Sequence, residues 1–274
     1  MGRLTRRAPA QQWRGGESQR RVDTLAVEEP LEIRLSGEVV TVTMRLPGDD
    51  FDLALGHLLT EGVIASGEDI ATMMHCTDTG DDGLPTYNVV EVAMAPGLLP
   101  RRPLVGRAEI ATGGCGICGT VQVDELLTRL PHAIDRDRTT FTLSAIEAGL
   151  AAMRERQRVF DATGGVHAAA LITPDGEVLV VREDIGRHNA VDKVIGWAVR
   201  EGRSDLSGLG LLVSSRAGFE IVQKGAAAGV PLIACVSAAS TLAVEAADRA
   251  GLTLAAFVRP PRASVLSHPD RVTS

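Results

Sequence analysis

The second half of the chain alternates short apolar runs with amphipathic stretches, and this alternation constrains the fold most. The runs GVHAAALIT, GLGLLVSS, PLIACVS and LTLAAFVR carry almost no charge, and segments with helical spacing of apolar residues separate them. Strands that are apolar throughout are typical of a sheet covered by helices on both faces. The sequence therefore predicts an α/β unit with a mixed, mostly parallel sheet. Its first two strands should form an antiparallel edge hairpin, because Pro174-Asp175-Gly176 is a tight-turn signature.

The first half of the chain has a different pattern. Alternating apolar and polar residues on both sides of Gly37-Glu38 predict a hairpin, which makes this part a smaller α+β region. Residues 1–21 carry six arginines and one acid without apolar periodicity, so we expect a disordered basic arm there. We divide the chain into that arm, the smaller N-terminal region over 22–131 and the α/β unit over 132–274.

Composition narrows the class of protein. No stretch approaches 18 consecutive apolar residues and the N-terminus lacks an apolar signal segment, so we expect a cytoplasmic protein without membrane association. The formal net charge of −7 argues against general nucleic-acid binding. All but two of the 28 basic residues are arginines, the exceptions being Lys193 and Lys224. This bias fits phosphate recognition by guanidinium groups, and it also fits a simple compositional origin.

The pair Cys115-Gly-Ile-Cys118 is the most unusual feature of the chain. Four glycines surround it within seven residues, which disfavours an ordered, packed segment and suits a thiol that must be reached. It fits half of a structural zinc site, which His75-Cys76 would have to complete. It also fits a redox pair, although such pairs normally open a helix after a strand. A third interpretation is a sulfur carrier, in which one thiolate takes up sulfane sulfur as a persulfide.

Polar residues recur where predicted strands end. We call these segments the junctions, and they comprise residues 182–189, 214–220, 237–241 and 257–262. Strand ends and helix N-termini are where α/β folds bind anions, so the junctions predict one shared binding crevice. Each segment alone also fits a helix cap or a solvated surface. His167, at the start of the first strand, fits a half-buried turn residue equally well.

These segments together resemble one family. GGCGICG, GGVHAAAL, REDIGRHNAVDK, SSRAGFEIVQKGAAAGVPLI and FVRPPRASVLSHPDRV are similar to the formate dehydrogenase accessory sulfurtransferases, the FdhD/NarQ family, over about residues 22–272. The resemblance implies a cytosolic sulfurtransferase that receives sulfur from a cysteine desulfurase as a persulfide. It would pass this sulfur to the molybdenum or tungsten bis(molybdopterin guanine dinucleotide) cofactor and so activate formate dehydrogenase. It also suggests a homodimer.

The resemblance assigns roles to individual residues. Cys115 matches the persulfide-carrying cysteine, and Cys118 matches the second cysteine of the pair. The segment that matches the family's cofactor-binding stretch consists of Phe257, Val258, Arg259, Pro260, Pro261 and Arg262. The candidates that the junctions add to the same crevice are Arg187, His188, Ser215 and Arg216.

The α/β unit is also similar to the three-layer cytidine deaminase fold. A deaminase has its catalytic Glu two residues after the histidine, where this chain continues from His167 with Ala168-Ala169, and no Pro-Cys-x-x-Cys follows. We therefore expect neither deamination nor an intrinsic metal. The alternative function is a non-catalytic chaperone that binds and delivers the nucleotide-bearing cofactor, with a structural CxxC pair.

Overall fold

The computed structural model describes residues 4–76, 86–102 and 131–274, so the predicted thiol loop lies outside the described residues. No helix in these ranges is long and apolar enough to cross a membrane. The strands are β1 (Thr5–Arg14), β2 (Glu17–Ala26), β3 (Glu29–Leu35), β4 (Glu38–Arg45), β5 (Ile70–Cys76), β6 (Val89–Met94), β7 (Phe141–Thr142), β8 (His167–Ile172), β9 (Val178–Asp184), β10 (Gly210–Val213), β11 (Leu232–Cys235), β12 (Thr253–Arg259), β13 (Arg262–Ser267) and β14 (Val272–Thr273). The α-helices are α1 (Asp50–Thr60), α2 (Leu143–Glu155), α3 (Arg158–Thr163), α4 (Arg187–Arg200), α5 (Phe219–Ala227) and α6 (Thr241–Ala250).

A mixed six-stranded sheet forms the centre of the C-terminal half, in the order β13-β12-β11-β10-β8-β9. The antiparallel edge hairpin β8–β9 is confirmed. The β10–β11 and β11–β12 pairs are parallel, whereas β8 runs against β10 and β13 runs against β12. Parallel pairing is thus less extensive than predicted, because β13 adds a second terminal hairpin and β8 also runs against β10.

Helices cover both faces of this sheet. Leu171, Leu211 and Ile233 belong to the core cluster that contains α4, α5 and α6. Their neighbours along the strands, such as Ala170 and Leu212, pack instead with α2. This alternation follows from the two-residue period of a strand and produces the expected three-layer arrangement.

The N-terminal half adds a second sheet in the order β4-β3-β6-β5. The predicted β3–β4 hairpin is confirmed, with its turn at Ser36-Gly37, one residue earlier than expected. Both turn residues have positive φ, as the tightest hairpin turns require. Apolar residues of this sheet and of α1 join the core cluster that contains α4. The domain boundary between residues 131 and 132 stays a prediction.

The prediction of a disordered arm is wrong for the described residues 4–21. β1 and β2 form an antiparallel hairpin from Thr5 opposite Ala26 to Arg14 opposite Glu17, with Gly15-Gly16 at positive φ in its turn. Most of the hairpin is exposed, so no burial pattern marks it in the sequence. The β1–β2 hairpin is held together by backbone hydrogen bonds and a glycine turn. At its open end, Ala26 packs against a small apolar cluster.

Two glycines allow α1 and α4 to touch through their backbones. A Cβ atom added to Gly56 would lie 1.9 Å from the carbonyl oxygen of Asp192, and one added to Gly196 would lie 1.7 Å from that of Asp52. Real Cβ atoms do not approach other atoms so closely, and backbone cannot give way as a flexible side chain can. The crossing of α1 over α4 therefore requires glycine at both positions.

We expect Gly56→Ala to lower the free energy of unfolding by about 3 kcal/mol or more, because the helices must separate, although alanine itself favours a helix. Gly149→Ala in α2 is the control, since its Cβ would meet only side-chain methyl groups of Leu212 and Ile172, at 2.9 and 3.0 Å. Those methyl groups can shift, so Gly149→Ala should lower the free energy of unfolding by less than Gly56→Ala. Urea denaturation of the three proteins measures both effects, and equal losses would contradict the backbone contact.

Candidate functional site

The predicted junctions converge at one edge of the six-stranded sheet. Asp184 at the end of β9 pairs with His167 at the start of β8. Val213 at the end of β10 pairs with Ala169 of β8 and with Cys235 at the end of β11. The segments that follow β9, β10, β11 and β12 therefore leave the sheet on the same side.

Backbone hydrogen bonds connect three of these junctions. The Ala217 N–H donates to the Ala238 carbonyl at 3.1 Å, and the Ser240 N–H donates back to the Ala217 carbonyl at 3.1 Å. The Phe257 N–H donates to the Ser237 carbonyl at 3.0 Å. The loops after β10 and β11 and the end of β12 are thus joined to one another by backbone hydrogen bonds.

The segment Phe257–Arg262 forms the end of β12, a two-residue turn and the start of β13. Phe257 has a φ of 52° and an exposed ring, and the Arg262 guanidinium lies 5.3 Å from the ring centroid. Arg259 donates from Nε to the Val236 carbonyl at 3.2 Å and stays exposed. The exposed turn residues are Pro260 and Pro261.

Val258 differs from the rest of this segment. Its side chain is 2% exposed and packs in the core on the α2 face. A ligand at this segment would meet the Phe257 ring and the two arginines rather than the Val258 side chain.

Arg187 and His188 stand in the first turn of α4 and meet a carboxylate from the first turn of α5. His188 Nε2 lies 2.5 Å from Glu220 Oε2, and Arg187 Nη2 lies 4.0 Å from the same oxygen. The close contact with His188 lowers the pKa of Glu220. Burial, with the charges of Arg187 and His188, lowers the pKa of His167. Arg187 is therefore the permanent cation at this end of the edge, and the Glu220 carboxylate lies beside it.

The loop after β10 uses its hydroxyl groups within the protein. Ser214 Oγ accepts a hydrogen bond from the Ala168 N–H at 2.9 Å. Ser215 is buried, and its hydroxyl donates to the Arg216 carbonyl at 3.0 Å. Arg216 is exposed, so it is the member of this loop that is free to meet a ligand.

The rest of the REDIGRHNAVDK segment is structural. Arg182 Nη2 donates to Asp52 Oδ2 of α1 at 2.9 Å, which removes it from the predicted crevice. Lys193 and Asp184 form an ion pair of 2.8 Å, with side chains 1% and 0% exposed. Lys193 also donates to the Leu46 carbonyl at 2.9 Å. These contacts join α1 to β9 and the segment after β4 to α4, more than 100 residues away in sequence.

The second lysine of the chain is buried in the same way. Lys224 of α5 lies 2.9 Å from Asp192 Oδ2 of α4 and 3.0 Å from the Thr60 hydroxyl of α1. His57 Nδ1 lies 3.8 Å from the same Asp192 oxygen. Sequence reasoning placed Glu220 at the end of a junction without giving it a role, and it did not identify His57. For Lys224 the signal was the rarity of lysine in an arginine-rich chain.

The cysteines divide by position. Cys115 and Cys118 lie outside the described residues. Cys235 is buried in the sheet as predicted, and burial raises the pKa of its thiol. His75 stacks on Phe51 with ring centroids 4.8 Å apart. Within the described ranges no group of three or more His, Cys, Asp or Glu side chains is arranged to hold a metal ion, and the expected lack of a metal stays a prediction.

Comparisons with known proteins agree with one another. The model of the FdhD/NarQ family matches residues 26–273. The "sulfur carrier protein FdhD" of Mycobacterium tuberculosis is 49% identical over 256 residues, covering 92% of this chain and 93% of the relative. That of Nocardia farcinica is 47% identical over 277 residues, covering 100% and 96%. A crystal structure described as a putative formate dehydrogenase accessory protein from Desulfotalea psychrophila has a TM-score of 0.77 and 25% identity, covering 99% and 100% of the two chains.

We expect Lys193→Met to lower the free energy of unfolding by about 3–5 kcal/mol, because Asp184 would remain buried without its ammonium partner. Arg187→Met is the matched control from the same segment. Arg187 is partly exposed and 4.0 Å from Glu220, so its loss should cost less than about 1 kcal/mol. Chemical denaturation of both variants measures the two losses of unfolding free energy. Similar losses would show that the buried ion pair stabilises the fold no more than the exposed contact does.

Proposed function

Because the chain belongs to the FdhD/NarQ family, we propose that it is a sulfur carrier that acts in the maturation of formate dehydrogenase. The observation that supports this most is the similarity, over nearly the whole length, to proteins named sulfur carriers. We further propose a donor, an acceptor and partners for this sulfur transfer.

The sulfur is carried on Cys115. Its thiolate attacks the terminal sulfur of a persulfide on a cysteine desulfurase, so that one S–S bond forms as another breaks and the donor leaves as a thiolate. This exchange needs no external oxidant or reductant. Cys118 assists the release of the sulfur. The surrounding glycines suit this role, because they let the thiol approach both the donor and the acceptor.

The acceptor is the bis(molybdopterin guanine dinucleotide) cofactor, bound at the sheet edge as a substrate. Its phosphates are anionic, and the first turns of α4, α5 and α6 lie at this edge with their positive dipole ends. Four arginine side chains stand on the same segments, namely Arg187, Arg216, Arg259 and Arg262. Phe257 and Arg262 together offer a surface on which a purine base can stack.

The expected partners are a cysteine desulfurase as the donor and formate dehydrogenase as the client. The protein works in the cytoplasm as a homodimer, without nucleic acid or membrane.

Replacing the carrier thiol tests the mechanism. We expect Cys115→Ala to abolish persulfide loading, seen as the loss of a one-sulfur mass increase after incubation with a desulfurase and cysteine, and to abolish activation of formate dehydrogenase. Cys118→Ala should have a milder effect. Cys76→Ala is the control thiol and should load normally. Full activation by Cys115→Ala would exclude the carrier role and favour a cofactor chaperone, as would one bound zinc per chain that is lost with Cys115.

Replacing an edge arginine tests the cofactor site. A charge-assisted hydrogen bond contributes about 1.5–3 kcal/mol, so Arg259→Ala should weaken guanosine diphosphate binding roughly tenfold to a hundredfold. Added salt should also weaken binding, though less than at an open surface. The control is Arg203→Ala, an exposed arginine just before the opposite end of β10. Calorimetry showing equal binding by both variants would remove Phe257–Arg262 from the site.

A further inference from the structure

The hairpin of β1 and β2 lies almost entirely before the first residue that the family model matches, which is residue 26. The sequence features shared by the family therefore do not account for it. Its ten-residue strands pair along their whole length, which gives the hairpin a length of about 34 Å. Only its open end meets the rest of the described chain closely, where Ala26 packs against the cluster that contains Val159 of α3.

The far part of this hairpin has no core of its own. Residues 11–22 are all exposed, and β1 and β2 form a sheet without a third strand in the described part of the chain. An isolated two-stranded hairpin is only marginally stable in water, and it becomes stable when further strands or another element cover it. A surface that the described residues of the same chain do not supply is therefore expected to hold this end of the hairpin.

The two faces of the hairpin differ in what they present to such a surface. Pro9 lies directly opposite Val22, and Arg7 and Trp13 of β1 and Arg20 of β2 fall on the same face, because side chains alternate along a strand. We call this the tryptophan face. The Trp13 side chain is 69% exposed and that of Val22 is 54% exposed. Tryptophan and arginine are the residues most enriched where binding energy concentrates in interfaces, so this face has the composition of a contact surface.

The charge of the hairpin indicates what it contacts. Residues 1–27 contain six arginines and two acidic residues, whereas residues 28–274, which we call the body, contain 22 basic and 33 acidic residues. The hairpin is thus cationic and the body has a net charge of −11. In a pair of chains related by a twofold axis, each hairpin can lie on the oppositely charged body of the other chain, and the same contact then forms twice.

We propose that the β1–β2 hairpin is an arm that binds the body of a second copy of this chain through its tryptophan face. This inference rests on the proposed function, in which the protein is a homodimer. Trp13 and Val22 leave water when the arm is covered, and Arg7 and Arg20 meet carboxylates of the other chain. The arm is ordered by the partner rather than by its own chain.

Sedimentation equilibrium of the full chain over a range of concentrations tests this arm. Trp13→Ser and Arg7→Glu should each raise the dissociation constant of the dimer tenfold or more. Arg6→Glu is the matched control, because Arg6 is also exposed, precedes Arg7 in the same strand and points to the opposite face. It should keep the wild-type dissociation constant. Added salt should weaken the wild-type dimer more than the Arg7→Glu dimer.

Each other result contradicts the inference. A dimer that is unchanged by both Trp13→Ser and Arg7→Glu would form through another surface, so the inference would be wrong while the homodimer of the proposed function stands. Equal losses from Arg6→Glu and Arg7→Glu would show that the tryptophan face is not the contact. A wild type that stays monomeric would overturn the homodimer as well, but not sulfur carriage on Cys115.

A basic hairpin with an exposed tryptophan could instead bind a single-stranded nucleic acid by stacking. The overall negative charge of the chain disfavours this partner. Titration with a fluorescent single-stranded oligonucleotide separates the two, and we expect no binding that depends on Trp13. Binding that Trp13→Ser abolishes while the dimer persists would assign the face to nucleic acid and overturn the inference.

Discussion

The backbone contact between α1 and α4 determines how the two halves of the protein fit together. Gly56 and Gly196 bring the helices so close that each Cβ position is occupied by a carbonyl of the partner helix. At this separation, side chains of one half reach acceptors of the other. Lys193 reaches the Leu46 carbonyl and, from β9, Arg182 reaches Asp52, so polar contacts add to the apolar packing of α1 against α4. The N-terminus of α4, with Arg187 and His188, therefore projects from a fixed base.

Both lysines of the chain are buried and serve the fold. The Lys193 ammonium contacts the Asp184 carboxylate and the Leu46 and Glu183 carbonyls. The Lys224 ammonium contacts the carboxylates of Asp192 and Glu61 and the Thr60 hydroxyl. A compact ammonium fits among oxygens from several elements, whereas a planar guanidinium matches the paired oxygens of a carboxylate or phosphate. Arg216, Arg259 and Arg262 stay exposed at the sheet edge. Both lysines therefore fasten elements together, as Arg45, Arg182 and Arg271 also do, while the exposed arginines of the edge remain available for anions.

Much of the fold was predictable from local patterns, and less of the site was. The apolar runs located β8, β10, β11 and β12, and convergence of the junctions follows from strand direction alone. The hairpin of β1 and β2 was missed because exposed strands leave no burial pattern, although Gly15-Gly16 signalled a turn. The burial of Val258 did not follow from alternation, because Val258 packs on the same face as Ala255 where the β12–β13 pairing is irregular between Ala256 and Arg259.

In the polar REDIGRHNAVDK segment, the residues that serve the fold could not be distinguished by sequence from those at the predicted crevice. Arg182 and Arg187 are chemically alike, but Ala169 pairs with Arg182 across the hairpin, and this places Arg182 on the face that α1 and α4 cover. Its partner Asp52 lies 130 residues earlier, and no local pattern encodes so distant a contact. The same limit applies to Lys224 and Asp192. Whether a polar residue serves the fold or the crevice depends on which distant segment the topology brings to it.

The net charge of −7 and the cationic edge are compatible because they act over different distances. At physiological salt, charges separated by more than about 8 Å are largely screened, so a bound diphosphate responds to the nearest arginines and helix ends. A long polyanion would instead lie against much of the acidic surface and be repelled. The cationic groups at this edge can therefore attract a small anion although the chain as a whole is acidic.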